Sequence, residues 1–327
     1  MRSHHTGQAR PSAEPAPRST WRGARAPTWG DQPTGDPSEL HRATETFLLL
    51  RGRLFGIAYR MLGSVTDAED LLQDVWVRWQ LCDRAAVRDP AAFLATTTTR
   101  LALNHLQSAR VRREAYVGPW LPEPIDTGVH TEVLIERAET VEIVVLFLLE
   151  RLSPVERAAY VLREAFDYPY RDIADILDGT EANARQLVSR ARKHLLVERS
   201  TPVARSEQDR FLQAFLDAAR AGDMAGLESL LSADVVSYSD GGEVFHAARF
   251  PLEGRSRVVK FVLAVSEWFW DGVDVQLIEA NGQPALRLSV RGEQIALVAV
   301  TVTDSGIDRL FWMMNTTKLD GVLPEPA

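Results

Sequence analysis

The chain has 327 residues, enough for two or three domains with sizeable cores, and this length excludes a single miniature scaffold. Hydrophobic residues make up 45% and charged residues 25%, as in ordinary soluble globular proteins, and no apolar run approaches the length of a membrane span. One cysteine, Cys82, cannot form an intrachain disulfide, and the first residues lack the apolar stretch of a secretory signal. We therefore expect a cytoplasmic protein without a membrane partner.

The net charge of −8 is unevenly distributed along the chain. Residues 206–327 hold 10 basic and 18 acidic residues and account for all of it, so basic and acidic residues balance in the first two thirds. The first two thirds of the chain can therefore form local basic surfaces even though the whole chain is acidic. We expect the acidic last third to be a separate module.

Residues 1–40 are rich in Pro, Gly, Ser, Thr and Arg with hardly any aliphatic side chains, so we predict a disordered tail. From residue 44 to residue 116 the apolar residues recur at three- and four-residue spacing, which predicts amphipathic helices and an all-α domain. The predicted apolar positions are Phe47, Leu50, Leu54, Ile57, Ala58, Met61, Ala68, Leu71, Leu72, Val75 and Trp79.

An extended linker is predicted at residues 117–131, because the stretch 116–131 contains three prolines and two glycines. The block 132–200 that follows is helical again. Within residues 170–194, two apolar stripes flank Asp178-Gly179-Thr180, which offer a tight turn and a helix cap. This pattern predicts a helix-turn-helix and a second all-α domain.

Residues 206–320 change to a pair of helices, at about 207–221 and 224–231, followed by short segments rich in Val, Ile, Leu, Phe and Trp. Turn signals such as Asn281-Gly282 and Arg291-Gly292 separate these segments. Strands are predicted at 235–239, 273–279, 285–291, 294–303 and 307–315. We therefore predict a multidomain chain whose two all-α units are followed by an α+β domain with a curved antiparallel sheet.

The second helix of the predicted helix-turn-helix, at about 181–197, has a basic outer face. Such a helix fits the major groove of B-DNA, where Arg pairs with guanine and Gln with adenine. For two amphipathic helices alone, a solvated helical hairpin is an equally good interpretation, and the clustered arginines favour DNA. The candidate contacts are Arg185, Gln186, Ser189, Arg190, Arg192 and Lys193.

A second polar and basic set lies on the predicted helix at about 95–114. The run Thr96 to Thr99 is unusual for a purely structural helix, because β-branched residues lower helix propensity, and we interpret it as suited to strand or phosphate contact. The alternative is a basic helix end that complements the helix dipole. The candidate contacts are Arg100, Asn104, Gln107, Ser108, Arg110, Arg112 and Arg113.

The stretch 67–78 predicts an acidic amphipathic helix with an apolar strip. One interpretation is a helix that packs its apolar strip in the core and exposes its charged side chains to solvent. The other is a docking face for a basic coiled coil of another protein. The candidate contacts are Asp67, Asp70, Leu71, Asp74, Val75 and Arg78.

Together these segments resemble the extracytoplasmic-function sigma factors, compact relatives of sigma-70 that carry only regions 2 and 4. The likeness covers about residues 44–200. RGRLFGIAYRMLGSVTDAEDLLQDVWVRW and LATTTTRLALNHLQSARVRREAY are similar to region 2, and LERLSPVERAAYVLREAFDYPYRDIADILDGTEANARQLVSRARKHL to region 4. The resemblance implies a transcription initiation factor that binds core RNA polymerase and promoter DNA.

In this family the helix at 67–79 binds the clamp helices of the β′ subunit, and residues 83–113 open and read the −10 element. Region 4 packs on the β flap and reads the −35 element. By position, Arg100 and Asn104 would face −10 DNA, and Arg185, Gln186 and Arg190 the −35 major groove. Two separate domains on a linker, each recognising one promoter element, would bind promoters poorly until polymerase holds both at a fixed spacing.

The segments YVGPWLPEP (116–124) and YSDGGEVFHAARFPLEGRSRV (238–258) resemble the subgroup that bears a SnoaL-like extension, a cone-shaped α+β barrel. Two departures stand out: Glu243 replaces a third glycine, and NTTKL at 315–319 replaces Asn-Pro-Asp-Lys-Leu. The resemblance implies a regulatory domain that replaces a separate anti-sigma protein, with Asp240, Gly241 and Gly242 as regulatory residues.

Two other functions stay open: a ligand-gated helix-turn-helix repressor, and a polyketide cyclase or isomerase fused to a DNA-binding segment. Tyr238, Asp240 and His246 are the candidate proton-transfer groups of such an enzyme, but no paired base lies at convincing spacing, so we expect no catalysis. The barrel could hold a small-molecule ligand. No Cys-x-x-Cys pair, His-x-x-x-His pair or phosphate loop is present in the sequence, so we expect no metal and no cofactor.

Overall fold

The structure is a computed structural model that describes residues 37–114, 116, 118–128, 141–196, 203–242 and 247–319. The helices are α1 (Pro37–Leu62), α2 (Val65–Leu81), α3 (Pro90–Glu114), α4 (Ile143–Leu149), α5 (Pro154–Glu164), α6 (Tyr170–Ile176), α7 (Glu181–Leu196), α8 (Arg205–Ala221), α9 (Met224–Leu230) and α10 (Arg255–Phe269). The strands are β1 (Leu231–Asp240), β2 (Leu252–Glu253), β3 (Val273–Ala280), β4 (Gln283–Val290), β5 (Glu293–Thr303) and β6 (Gly306–Met313).

Helix α1 begins at Pro37, so the prediction of a disordered tail over residues 1–40 is wrong for its last four residues. Proline is favoured in the first turn of a helix, where its missing N–H would have no partner. The rest of the predicted tail lies outside the described residues.

Helices α1, α2 and α3 form the first helical unit. The chain turns from α1 into α2 at Gly63, whose φ of 67° is easily adopted by glycine. The side chain of Ser64 then caps α2 by accepting a hydrogen bond from the Asp67 N–H at 3.0 Å. Trp79 is buried at the far end of α2 and donates its indole N–H to the carbonyl of Ala43 at 3.0 Å, which fixes α2 against α1.

Helices α4 to α7 form the second helical unit, and α6 and α7 are the predicted helix-turn-helix. Ser153 and Glu156 form a capping box at the start of α5. The turn between α6 and α7 contains Asp178 with a φ of 53°, a left-handed conformation that aspartate tolerates. Helix α7 ends at Leu196, and residue 197, at the end of the second helix predicted for the helix-turn-helix, lies outside the described part.

The C-terminal domain consists of α8 to α10 and one six-stranded sheet of order β2-β1-β6-β5-β4-β3. Strands β3 to β6 form an antiparallel meander, but β1 and β6 are parallel neighbours. The prediction of an antiparallel sheet is therefore wrong at this pair, because the turn signals specify only strands that are joined directly.

Both faces of the central strands of this sheet are buried. Along β5, Val298 and Val300 belong to a core that includes residues of α8 and α10, whereas Leu297 and Ala299 belong to the core of the helical units. The outer face meets the second helical unit at Phe147, whose ring lies 4.6 Å from that of Tyr238. The alternation of side chains along a strand thus divides the residues of β5 between two cores.

The two helical units pack on each other and share one hydrophobic core, so the expectation of separate units on a linker is wrong for this arrangement. Buried Arg157 of α5 donates to the carbonyl of Met61 at 2.6 Å and pairs with Glu150 at 2.9 Å. Arg53 of α1 donates to the carbonyl of Phe166 at 3.0 Å. Between residues 37 and 319, the described helices include none that is long and apolar enough to cross a membrane.

Candidate nucleic-acid interface

Helix α7 presents its basic side chains on one exposed face. The opposite face buries Ala184, Leu187, Val188, Ala191 and Leu195 in the second helical unit. All six side chains predicted to contact DNA are exposed: Arg185, Gln186, Ser189, Arg190, Arg192 and Lys193. A helix buried along one side and basic along the other has the shape and charge to enter a major groove.

Two of these arginines are already held by protein groups. Arg185 pairs with Glu181 one turn earlier, and its guanidinium lies 5.0 Å from the ring centre of Tyr170. Arg192 binds Glu164 of α5 at 2.7 Å, and this hydrogen bond raises the pKa of Arg192. Both side chains are therefore oriented before any ligand arrives.

Asn183 is a further exposed polar residue of α7 that is not among the contacts predicted from the sequence. It lies on the exposed first turn of α7, where its backbone N–H is bound by Thr180 Oγ1 at 3.2 Å. Its position alone makes it a candidate, because the N-terminal residues of a helix that enters the major groove are those that approach base edges.

The second predicted set lies on α3 and is only partly exposed. Asn104, Gln107 and Ser108 share an exposed face. Arg100, by contrast, donates to the carbonyls of Ile176 and Asp175 at the end of α6, at 2.9 and 3.0 Å. The side chains of Arg110, Arg112 and Arg113 lie outside the described residues.

The four threonines of α3 do not form a polar contact surface as interpreted from the sequence. Thr98 and Thr99 are fully buried, and their hydroxyls donate to the carbonyls of Leu94 and Ala95 at 2.8 and 2.9 Å. Thr96 and Thr97 likewise bond the carbonyl four residues earlier. This local bonding satisfies the hydroxyls inside a helix, so the run is compatible with packing.

The acidic helix α2 exposes Asp70, Asp74 and Arg78, whereas Leu71 and Val75 are buried against the first helical unit. The prediction that these two apolar residues contact a partner is therefore wrong for this arrangement. Asp67 is half-buried and lies 3.3 Å from His105 Nε2. Val77 and Leu81, which are not among the contacts predicted from the sequence, expose apolar side chains one turn apart beside the acidic face.

The predicted regulatory residue Asp240 lies at the end of β1 and is completely buried. Its carboxylate accepts hydrogen bonds from the Tyr116 hydroxyl, from the Leu121 N–H at 2.8 Å and from Lys318 Nζ at 2.7 Å. Burial and the Asp240 carboxylate raise the pKa of Tyr116. One carboxylate thus joins the linker to the C-terminal domain.

Lys318 completes this cluster from the other side. Its ammonium group donates to the Leu121 carbonyl at 2.9 Å and lies 3.1 Å from the ring centre of Trp120, a cation–π contact. Gly242 has a φ of 54°, and a Cβ there would lie 3.1 Å from Asn315 Nδ2. We call Asp240, Lys318, Tyr116 and Leu121 the Asp240 cluster.

Of the proton-transfer groups considered above, the two that the structure describes are occupied by other contacts. Asp240 is ion-paired with Lys318, and Tyr238 stacks on Phe311 at 5.6 Å on the outer face of the sheet. His246 lies outside the described residues. A cavity on the inner face of the sheet is lined mainly by apolar side chains and includes neither Asp240 nor Tyr238. Its volume is about 20 Å³, room for about one water.

Comparisons with known proteins match these units. Residues 47–112 match the Sigma-70 region 2 family, and residues 143–195 match the Sigma-70, region 4 family. The chain is 36% identical over 292 residues to the ECF RNA polymerase sigma factor SigJ of Mycobacterium tuberculosis, covering 84% of this chain and 92% of SigJ. It is 28% identical over 281 residues to the probable ECF RNA polymerase sigma factor SigI of the same species, covering 84% and 94%.

The crystal structure of Mycobacterium tuberculosis extracytoplasmic function sigma factor SigJ is similar in fold. It superposes with a TM-score of 0.69 at 32% sequence identity, covering 85% of this chain and 98% of SigJ. The likeness therefore extends across the helical units and the C-terminal domain together.

Proposed function

The chain belongs to the extracytoplasmic-function (ECF) RNA polymerase sigma factors, and from this premise we propose that its parts divide promoter recognition between them. Residues 44–116 engage the −10 element, residues 132–200 engage the −35 element, and the SnoaL-like domain at 206–320 controls both. As a sigma factor the protein directs promoter-specific transcription initiation with core RNA polymerase, and it works in the cytoplasm.

The −35 assignment is supported most strongly by the exposed basic face of α7. Gln186 and Arg190 form no side-chain hydrogen bond with any described residue, so they are the side chains that would read base edges. Arg185 is oriented by Glu181, and Arg192 by Glu164. These two arginines would also contact DNA once they release their glutamate partners.

The −10 assignment relies on the exposed face of α3 that contains Asn104, Gln107 and Ser108. The two elements are centred roughly 25 base pairs apart, about 85 Å at 3.4 Å per base pair. Two units that share a core cannot read both elements at once. The arrangement described above is therefore a closed state, and promoter binding requires the helical units to separate.

Core polymerase would engage the acidic face of α2, where Asp70, Asp74 and Arg78 are exposed beside apolar Val77 and Leu81. This combination of charge and exposed apolar surface suits the β′ clamp helices, a basic coiled coil. The second helical unit would engage the β flap.

The Asp240 cluster supports control by the C-terminal domain. It binds the linker between the two helical units, and this linker must be free to move when the units separate. That domain acts by binding, without bond chemistry of its own.

Run-off transcription with purified core polymerase tests the proposal. Full-length protein should produce promoter-specific transcripts from a promoter library, and core polymerase alone should not. The repressor alternative is tested by footprinting the same library without polymerase, where a repressor protects an operator and this protein should protect nothing. A lack of specific transcripts across the library, or strong protection without polymerase, contradicts the proposal.

A further inference from the structure

The tip of the β3–β4 hairpin is buried, although hairpin tips usually face solvent. Asn281 is only 3% exposed there and has a φ of 53°, and the following Gly282 has a φ of 71°. Two successive residues with positive φ form the tight hairpin turn for which Asn-Gly is a preferred pair. The tip inserts between the linker and the helical units.

The Asn281 side chain uses both ends of its amide. Its Oδ1 accepts from the Ile125 N–H at 2.9 Å, and its Nδ2 donates to the Tyr59 hydroxyl at 3.0 Å and to the Val141 carbonyl at 3.1 Å. The backbone N–H of Asn281 also donates to the Ile125 carbonyl at 2.8 Å. We call Asn281, Tyr59, Ile125 and Val141 the Asn281 anchor.

The anchor touches every part of the chain that must move. Tyr59 belongs to α1, Ile125 to the linker, and Val141 precedes α4 of the second helical unit. The fully buried Tyr59 hydroxyl in turn donates to the linker carbonyl of Glu123 at 2.6 Å. One amide therefore joins the C-terminal sheet to the first helical unit, the linker and the start of the second helical unit.

Few other residues would satisfy these contacts. Glycine accepts the backbone conformation but has no side chain to bond. Aspartate accepts it too, but would place a carboxylate oxygen against the Val141 carbonyl with no hydrogen to donate. An amide both donates and accepts, and asparagine tolerates positive φ better than most residues.

We propose that Asn281 is the tie through which the C-terminal domain holds the two helical units in the closed state. This inference deepens the control described under the proposed function and rests on it. The anchor is distinct from the Asp240 cluster, because it uses the β3–β4 hairpin and residue 125, whereas the cluster uses the end of β1 and residue 121.

Replacing Asn281 with glycine removes three side-chain hydrogen bonds while keeping a residue that readily adopts the turn conformation. We expect the N281G variant to shift the equilibrium between closed and open chains toward open by about tenfold or more. The matched control is R291G in the Arg291-Gly292 turn at the opposite end of β4, where Arg291 also has a φ of 53° but is exposed. That variant should leave the equilibrium unchanged.

The measurement is the distance between nitroxide labels at Ala85→Cys and Ala182→Cys in full-length protein that also carries Cys82→Ser. Both label sites are exposed, one in each helical unit. N281G should add a population at longer distance that the unsubstituted Asn281 protein and R291G lack. An unchanged distance distribution in N281G, or the same change in R291G, overturns the proposal.

Should N281G fail to fold, Tyr59→Phe decides. This variant removes the hydroxyl that bonds Asn281 and Glu123 and keeps the buried ring, so it should show a smaller population at the same longer distance. If the Tyr59→Phe protein shows no population at the longer distance, the proposal is overturned. The measurement uses neither polymerase nor DNA, so its outcome is distinguishable from failure of promoter recognition.

Discussion

Arg100 Nη2 lies 2.6 Å from Asp178 Oδ1, so a side chain proposed to face the −10 element is bound to the turn of the helix-turn-helix. The same guanidinium donates to two carbonyls at the end of α6. The closed state therefore occupies Arg100 and holds both proposed DNA-reading units together.

The D178N variant should bind promoter DNA more tightly as free protein. Asparagine tolerates the φ of 53° at this position, so the turn is kept while the charge that holds Arg100 is lost. The side chains of Arg100 and Asp178 are 33% and 78% exposed, so we expect a contribution of about 0.5 kcal/mol and a two- to threefold rise in affinity. Fluorescence anisotropy with labelled promoter DNA measures this change.

The matched control for D178N is D167N. Asp167 is also exposed, has a φ of 54° and loses the same charge, but no hydrogen bond joins its side chain to another described residue. An equal gain in both variants would show that net charge, and not release of Arg100, is the cause.

The double variant R185A/R190A should lose transcription from −35-dependent promoters by tenfold or more, because each arginine–guanine pair contributes about 1–3 kcal/mol to discrimination. Binding to core polymerase should persist, since α7 exposes both side chains. Run-off transcription and a core-binding assay measure the two effects. R210A/R291A removes the same charge from exposed positions of the C-terminal domain and serves as the control. Loss of core binding in R185A/R190A contradicts the role assigned to α7.

The K318M variant should lower the free energy of unfolding by roughly 3–5 kcal/mol, because it leaves the Asp240 carboxylate buried without its cation. Urea denaturation measures this change. The control is K260M, which alters an exposed lysine of α10. Adding D240N to K318M should recover part of the loss, since the uncompensated charge is then removed. A double variant no more stable than K318M would contradict this account of the Asp240 cluster.

Stability should fall as the pH rises above about 10, the ordinary pKa of tyrosine. Burial raises the pKa of Tyr59, so the folded chain keeps its phenolic proton at a pH where the unfolded chain has lost it. The stabilisation is complete below pH 10 and decreases by about 1.4 kcal/mol per pH unit above it. Urea denaturation between pH 8 and pH 11 measures the slope. Y59F should have a shallower slope, and equal slopes would contradict the assignment to Tyr59.

Several features were predictable because they depend on neighbours in the sequence. The three- and four-residue spacing of apolar side chains identified the helical units, and Asp178-Gly179-Thr180 identified the turn before α7. The basic face of α7 follows from the same spacing, because residues outside an apolar stripe must face away from the core. The meander of β3 to β6 was also accessible, since Asn281-Gly282 and Arg291-Gly292 are local turn signals.

Contacts between distant segments required the tertiary structure. The parallel pairing of β1 with β6, the binding of Arg100 by α6 and the burial of Asn281 each join residues more than 60 positions apart. The sequence contains one indication that the sheet is covered on both sides: the apolar run Ile295–Val300 is typical of a strand that is buried on both faces. Alternation along a strand specifies which residues share a face of the sheet. What covers that face is determined only in the folded chain, because the packing partners come from segments that are distant in the sequence.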